Sequence, residues 1–259
     1  MKNSVFWFKY KNLVIGAVAV IGFFLLWQGL YDWVVPMNPF VMSKPSMVFK
    51  GLESDMASGL LFSDLVISGK PLLFGFGAAV VVGIFVGTMM GWRKRVGYAL
   101  DPLMTAFYAS PLVAVAPLMI IAFGVGVAGK AILIFLLCVF PFIFNTYAGV
   151  KAVEQLLVNV VRSFGGSQRD IYFKVIVPSV LPYIVTAARF AVGRALVGVL
   201  VGEFYAATAG IGYRIAWYSD MYEISRMFGY ILVMMVIAVL FTEGIRWAER
   251  SAFPWRVGM

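Results

Sequence analysis

What most constrains this chain is a succession of apolar runs, each approaching the roughly 20 residues that a helix needs to cross a bilayer. They extend from Leu13 to about Val35, from about Pro71 to Trp92, from Asp101 to Gly126, from Ala131 to about Val150, from Leu181 to Gly210 and from about Met227 to Thr242. Composition agrees: 62% of the residues are hydrophobic and 13% are charged, whereas soluble domains carry about a quarter charged residues. A water-soluble globular fold is excluded. The expected fold class is an all-α integral membrane protein with about six transmembrane helices.

Several chemistries are excluded too. The chain has no histidine and one cysteine, Cys138, so it can build no Cys–His pair, no zinc site of the usual kind and no intrachain disulfide. It shows no paired carboxylates and no GxxxxGK[ST] phosphate loop, so no catalytic residue, no metal ligand and no cofactor of its own is expected. The net charge of +9 could suggest nucleic acid. The basic residues sit mainly at the ends of the apolar runs, however, where the positive-inside rule accounts for them, and no nucleic-acid partner is expected.

That rule also orients the spans. Lys2, Lys9 and Lys11 precede the first run, which is too long for a signal peptide and lacks a small-residue cleavage site, so it reads as an uncleaved span. Arg93, Lys94 and Arg95, then Lys151, Arg162, Arg169 and Lys174, and finally Arg246 and Arg250 mark the cytoplasmic side and place both termini there. Residues 37–69, with Pro39 and Pro45 early and Glu53, Asp55 and Asp64 later, read as an extracytoplasmic segment carrying a short helix from Ser46 to about Ser58. Lys130 marks an outer turn.

Inside the spans, three features stand out. Gly75, Ala79, Gly83, Gly87 and Gly91 recur at every fourth position, which lines one helix face with small residues and lets a neighbouring backbone come close. Pro111 and Pro117 interrupt the third span, where a bend or break at membrane depth points to a wet pathway or a buried kink. Arg189, Arg194 and Glu203 lie in the fifth, where an ionisable group is costly unless paired or hydrated. Glu203 is about 13 Å along the helix from Arg194, so each needs a partner elsewhere.

The longest polar interruption, Asn159 to Pro182, reads as helix, break, helix. Gly165 and Gly166 stop the first helix, Ser167 caps the second, and Asp170 completes a capping box at the positive end of the dipole. Pro178 and Pro182 are expected to close the segment. This spacing resembles the EAA loop of ABC importer permeases, in which a triplet is followed after three residues by glycine and after nine more by I-x-L-P. Gly165 stands at the glycine, Val175 and Val177 at the I and L, and Pro178 at the proline; Asn159, Val160 and Val161 replace the triplet. The Gly165–Gly166–Ser167 turn and the VIVPSVLP ending are most similar to the subfamily that carries nitrate, alkanesulfonates and taurine. Gly124 and Gly126, the GxG turn at Gly210 and Gly212, and the aromatic tail RSAFPWR resemble the same permeases.

The resemblance implies a permease domain over residues 61–256, preceded by residues 1–60 holding the N-terminal tail, the first span and the outer segment. It implies a bacterial inner-membrane location, a second permease copy and two ABC ATPase subunits carrying ATP and Mg. A periplasmic or lipid-anchored solute-binding protein would deliver the substrate, with membrane lipid around the assembly. Gly165, Gly166, Ser167, Gln168, Arg169, Asp170, Ile171, Tyr172 and Pro178 would dock the ATPase, and Pro111, Pro117, Arg189, Arg194 and Glu203 would flank the pathway. Similar permeases also carry pyrimidine vitamin precursors or aromatic carboxylates. Two other classes fit the residues: an ATPase-independent channel or secondary transporter coupled through Glu203, Arg189 and Arg194, and a membrane scaffold that transports nothing.

Overall fold

A computed structural model describes residues 2–34 and 42–252; Pro36, Pro39 and the tail from Phe253 to Arg256 lie outside the described residues. The described chain is helical throughout: α1 (Lys2–Gly29), α2 (Pro45–Ala57), α3 (Leu60–Trp92), α4 (Lys94–Ala109), α5 (Ala116–Phe123), α6 (Val127–Lys151), α7 (Gln155–Ser163), α8 (Gln168–Ile171), α9 (Val177–Ala206), α10 (Ile211–Asp220) and α11 (Ile224–Ala252). Five of the spans so formed are long and apolar enough to cross a membrane, and a sixth arises if α4 and the residues 112–123 count as one broken crossing, bent by 81°.

The chain divides into two compact units, one running to Phe62 and including Arg214–Leu232, the other made of Ser63–Tyr213 and the chain from Val233. In the first, α2 begins at Pro45, whose fixed φ and missing N–H suit a first helical turn. Asp55 is buried and accepts a hydrogen bond of 2.9 Å from the Tyr218 hydroxyl, with Arg226 3.9 Å away. Burial, reinforced by the Asp55 carboxylate, pushes the Tyr218 phenol up to about 12. Trp27 donates to the Ser43 carbonyl, and the Ser43 and Ser225 hydroxyls share a 2.7 Å hydrogen bond.

The core of the second unit is α3 and α9 packed on α6. Leu133, Ile134, Cys138 and Phe142 of α6 are buried, as are Ala79 of α3 and Ala187, Ala191 and Ala195 of α9. The small-residue face of α3 lies directly on α6. A Cβ at Gly75 would stand 2.4 Å from the Ala131 carbonyl, at Gly83 2.4 Å from Phe142, at Gly87 2.5 Å from the Ile143 carbonyl and at Gly91 2.5 Å from Val150. Close backbone approach of this kind supplies the dispersion contact that holds helices together in lipid. Gly87→Val is therefore expected to separate the two helices and cost about 3 kcal/mol, read as a fall in thermal midpoint in detergent. Gly77→Ala, at a position with nothing within 4 Å, should leave the midpoint unchanged.

Three expectations are corrected. The second apolar helix starts before Pro71: α3 begins at Leu60, with Pro71 inside it. Its Asp64 and Ser68 look solvated in sequence but are buried, because they hydrogen-bond a neighbouring turn. The third span breaks at Ser110–Pro111, one of the two outcomes expected there, but Pro117 interrupts nothing, since it falls in the first turn of α5, where a missing N–H costs nothing. Pro178 and Pro182 do not end the polar loop. A wide π turn over Tyr172–Ile176 leads directly into α9, and Pro178 again lies in a first turn.

Candidate functional site

The loop after α6 is built from local rules. Helix α7 ends in a Schellman turn: Gly166 N–H donates to the Val161 carbonyl and Gly165 N–H to the Arg162 carbonyl, both at 2.9 Å, with Gly165 at φ +74°, a conformation that favours glycine. Ser167 then caps α8. Its hydroxyl accepts from the Asp170 N–H at 3.2 Å, and Asp170 Oδ2 accepts from the Ser167 N–H at 2.9 Å, a reciprocal capping box. Lys174 reaches the same carboxylate at 2.7 Å.

One side of this loop is anchored and the other is bare. Ile171, Ile176, Val150 and Val180 form a buried patch, with Val158 and Val161 of α7 packed on it. Away from the patch, Phe164 is 89% exposed and Leu156 68% exposed, with Leu157 and Val160 also exposed. A braced turn that holds large apolar side chains in water has the form of a docking surface. Among the expected docking residues, Gly165, Ser167, Gln168, Arg169 and Pro178 are exposed, and Gly166, Asp170 and Tyr172 are half-buried. Ile171 departs from expectation: it is 3% exposed and anchors the loop from within. The apolar residues of α7 were not singled out, although their spacing at 156, 157, 160 and 164 is a legible amphipathic stripe.

Glu203, at the far end of α9, is 1% exposed and sits in a shell of donors. Ser68 Oγ lies 2.9 Å from both carboxylate oxygens, Gly212 N–H donates to Oε2 at 2.8 Å and Lys130 Nζ is 3.5 Å from Oε1. The adjoining amides are also satisfied: Gly210 N–H donates to Asp64 at 2.9 Å and Ile211 N–H to Ser68 Oγ at 2.8 Å. Two carboxylates and a hydroxyl thus take the free N–H groups opening α10, where the helix dipole favours negative charge. Gly210 is required here, since at φ +118° a Cβ would come within 2.4 Å of the Glu203 carboxylate. Lys130 is not at an outer turn. It is buried inside α6 because Glu203 compensates it.

The two arginines of α9 part company. Arg189 is exposed and pairs with Glu249 of α11, leaving Arg246 to pair with Glu243. Arg194 lines a cavity of about 370 Å³ together with Thr105, Tyr108, Phe144, Asn145 and Phe190. Its guanidinium donates to the Tyr108 hydroxyl at 2.9 Å and lies 4.7 Å from the centre of that ring. Pro111, Pro117, Arg189 and Glu203 are not among the residues lining this cavity, so the expected pathway residues are not gathered at one place. Among the described residues no cluster of three or more potential ligands could hold a metal ion.

The family described as binding-protein-dependent transport system inner membrane component matches residues 79–252. The chain is 30% identical to the taurine transport system permease TauC of Escherichia coli, over 95% of this chain and 90% of that protein. It is 28% identical to the formylaminopyrimidine transport permease ThiX of Halalkalibacterium halodurans, over 90% of this chain and 94% of that protein. Its fold is similar to that in an inward-facing structure of the MetNI methionine ABC transporter, with a TM-score of 0.58 and 16% identity over 81% of this chain and 99% of that one.

Proposed function

Because the chain belongs to the family of binding-protein-dependent transport system inner membrane components, we propose that two copies of it line the route by which an ATP-driven importer admits a small anion to the cytoplasm. It is a transport subunit, and ATP hydrolysis belongs to a separate ATPase. In the proposed assembly two ATPase subunits, carrying ATP and Mg, grip the two loops from the cytosol, and both termini share that side. A solute-binding protein meets the turn between α10 and α11, where Met221 and Tyr222 are exposed. Closure of the ATPase pair moves the loops, and the spans rock as rigid bodies between inward- and outward-facing arrangements.

The observation that carries this reading is the loop itself, a double-capped turn whose inner face is packed on the spans and whose outer face is apolar and bare. A channel or secondary transporter needs no such handle. The decisive experiment is reconstitution in liposomes: uptake should require the ATPase, ATP and the binding protein, and uptake by this chain alone would overturn the reading.

Arg194 supports the anion. Among the described residues no carboxylate pairs with it, and its hydrogen bond is to the Tyr108 hydroxyl, so its charge is open to a passing anion. TauC, as its name states, serves taurine, and a sulfonate, nitrate or similar anion fits the same cation. Arg194→Gln is expected to slow anion uptake about tenfold or more, the worth of one charge-assisted hydrogen bond, while ATPase stimulation by loaded binding protein persists. The rings of Tyr108, Phe144 and Phe190 around the cavity favour a second reading, a flat heteroaromatic solute like that named for ThiX. Competition for uptake between the two solute types separates them.

A further inference from the structure

We propose that the flank of α3 carries a binding site for an anionic phospholipid, seated in an apolar groove of about 700 Å³ that ends in two arginines. The groove lies between one face of α3 and the π turn after α8. Val81, Ile84, Phe85, Met89, Trp92 and Phe173 form its walls, and Arg93 and Arg169 stand with Gln168 at one end. The walls face outward: Val81 is 69%, Phe85 64% and Phe173 66% exposed.

Length, polarity and charge together select the occupant. From Val80 to Trp92 a helix rises about 18 Å, close to the roughly 15 Å of hydrocarbon in one leaflet. An acyl chain can therefore lie along the walls while its phosphate reaches the arginines. Among the described residues neither arginine pairs with a carboxylate; the nearby Asp170 is taken by Lys174. Guanidinium groups bind phosphate oxygens in a two-pronged manner, and a net negative headgroup satisfies both where a zwitterionic one brings its own cation. Arg93 opens α4 directly after α3 ends, which fixes one of the two cations at the end of the apolar wall. The site needs α3 to span the membrane and Arg169 to face the groove rather than the ATPase; it is independent of the transported solute.

Trp92 supplies the probe. The purified transporter complex in detergent is titrated with acyl-dibrominated phosphatidylglycerol or phosphatidylcholine, and the tryptophan quenching lost in Trp92→Phe is assigned to the groove. Phosphatidylglycerol is expected to quench at the lower concentration, with about fivefold preference for each arginine. Arg93→Gln should remove about fivefold, Arg93→Gln with Arg169→Gln should bring the two lipids level, and Arg93→Lys should keep most of the preference. In the unaltered protein the preference should shrink in 1 M salt, where charges are screened within about 3 Å. Equal quenching by both lipids, or a preference indifferent to salt, overturns the proposal. So does a Trp92 that neither lipid reaches, which would mean that a second copy or a partner helix covers the groove.

Discussion

Glu203→Ala should prevent the permease from accumulating in the membrane. The substitution leaves the Lys130 ammonium buried without a counter-charge and strips partners from the Ser68 hydroxyl and the Gly212 N–H. Breaking a buried pair by removing one partner costs about 3–5 kcal/mol, a large share of the roughly 5–15 kcal/mol that holds a protein folded. The measurement is membrane abundance together with the thermal midpoint in detergent. Replacing both charges by apolar residues, Glu203→Leu with Lys130→Met, should recover part of the loss, because the uncompensated charge goes with it. A Glu203→Ala protein of normal abundance and midpoint would mean that the carboxylate acts in transport alone.

Leu156→Glu combined with Phe164→Glu should uncouple the transporter without unfolding it. Both side chains stand in water, at 68% and 89% exposure, so the isolated permease gains solubility and loses no core contact. At an interface, anchors of this type are worth about 2 kcal/mol or more each, so ATPase affinity should fall by about a hundredfold or more for the pair. Two readouts separate docking from folding: co-purification of the ATPase, and its stimulation by loaded binding protein. Normal stimulation with both substitutions in place would move the coupling surface elsewhere in the chain.

The contrast between these two sites marks how far the sequence can be read. Near-neighbour physics made the loop legible: a glycine in the left-handed region and a serine and an aspartate three residues apart all act within a few residues of one another. The same holds for the glycine face of α3, whose four-residue period follows from helix geometry alone. Several failures of the reading were failures of polarity. Asp55, Asp64 and Lys130 were placed outside the spans because charged side chains are usually exposed, yet all three are buried, as is Ser68.

Their burial could not be read because it depends on partners far along the chain. Ser68 and Glu203 are separated by 135 residues, Lys130 and Glu203 by 73, and Asp55 and Tyr218 by 163. Whether a charge is a solvated loop residue or a buried clasp is set by what the fold brings within about 3 Å of it. The sequence by itself determined that the chain crosses a membrane as helices, which helix faces pack and where a braced handle protrudes, since hydropathy, small-residue spacing and capping are local properties. Only the tertiary structure decided that Glu203 locks the opening of α10, that Arg189 belongs to Glu249, and that Arg194 is left facing a cavity. Compensation of charge in a low-dielectric interior is a matter of distances between helices.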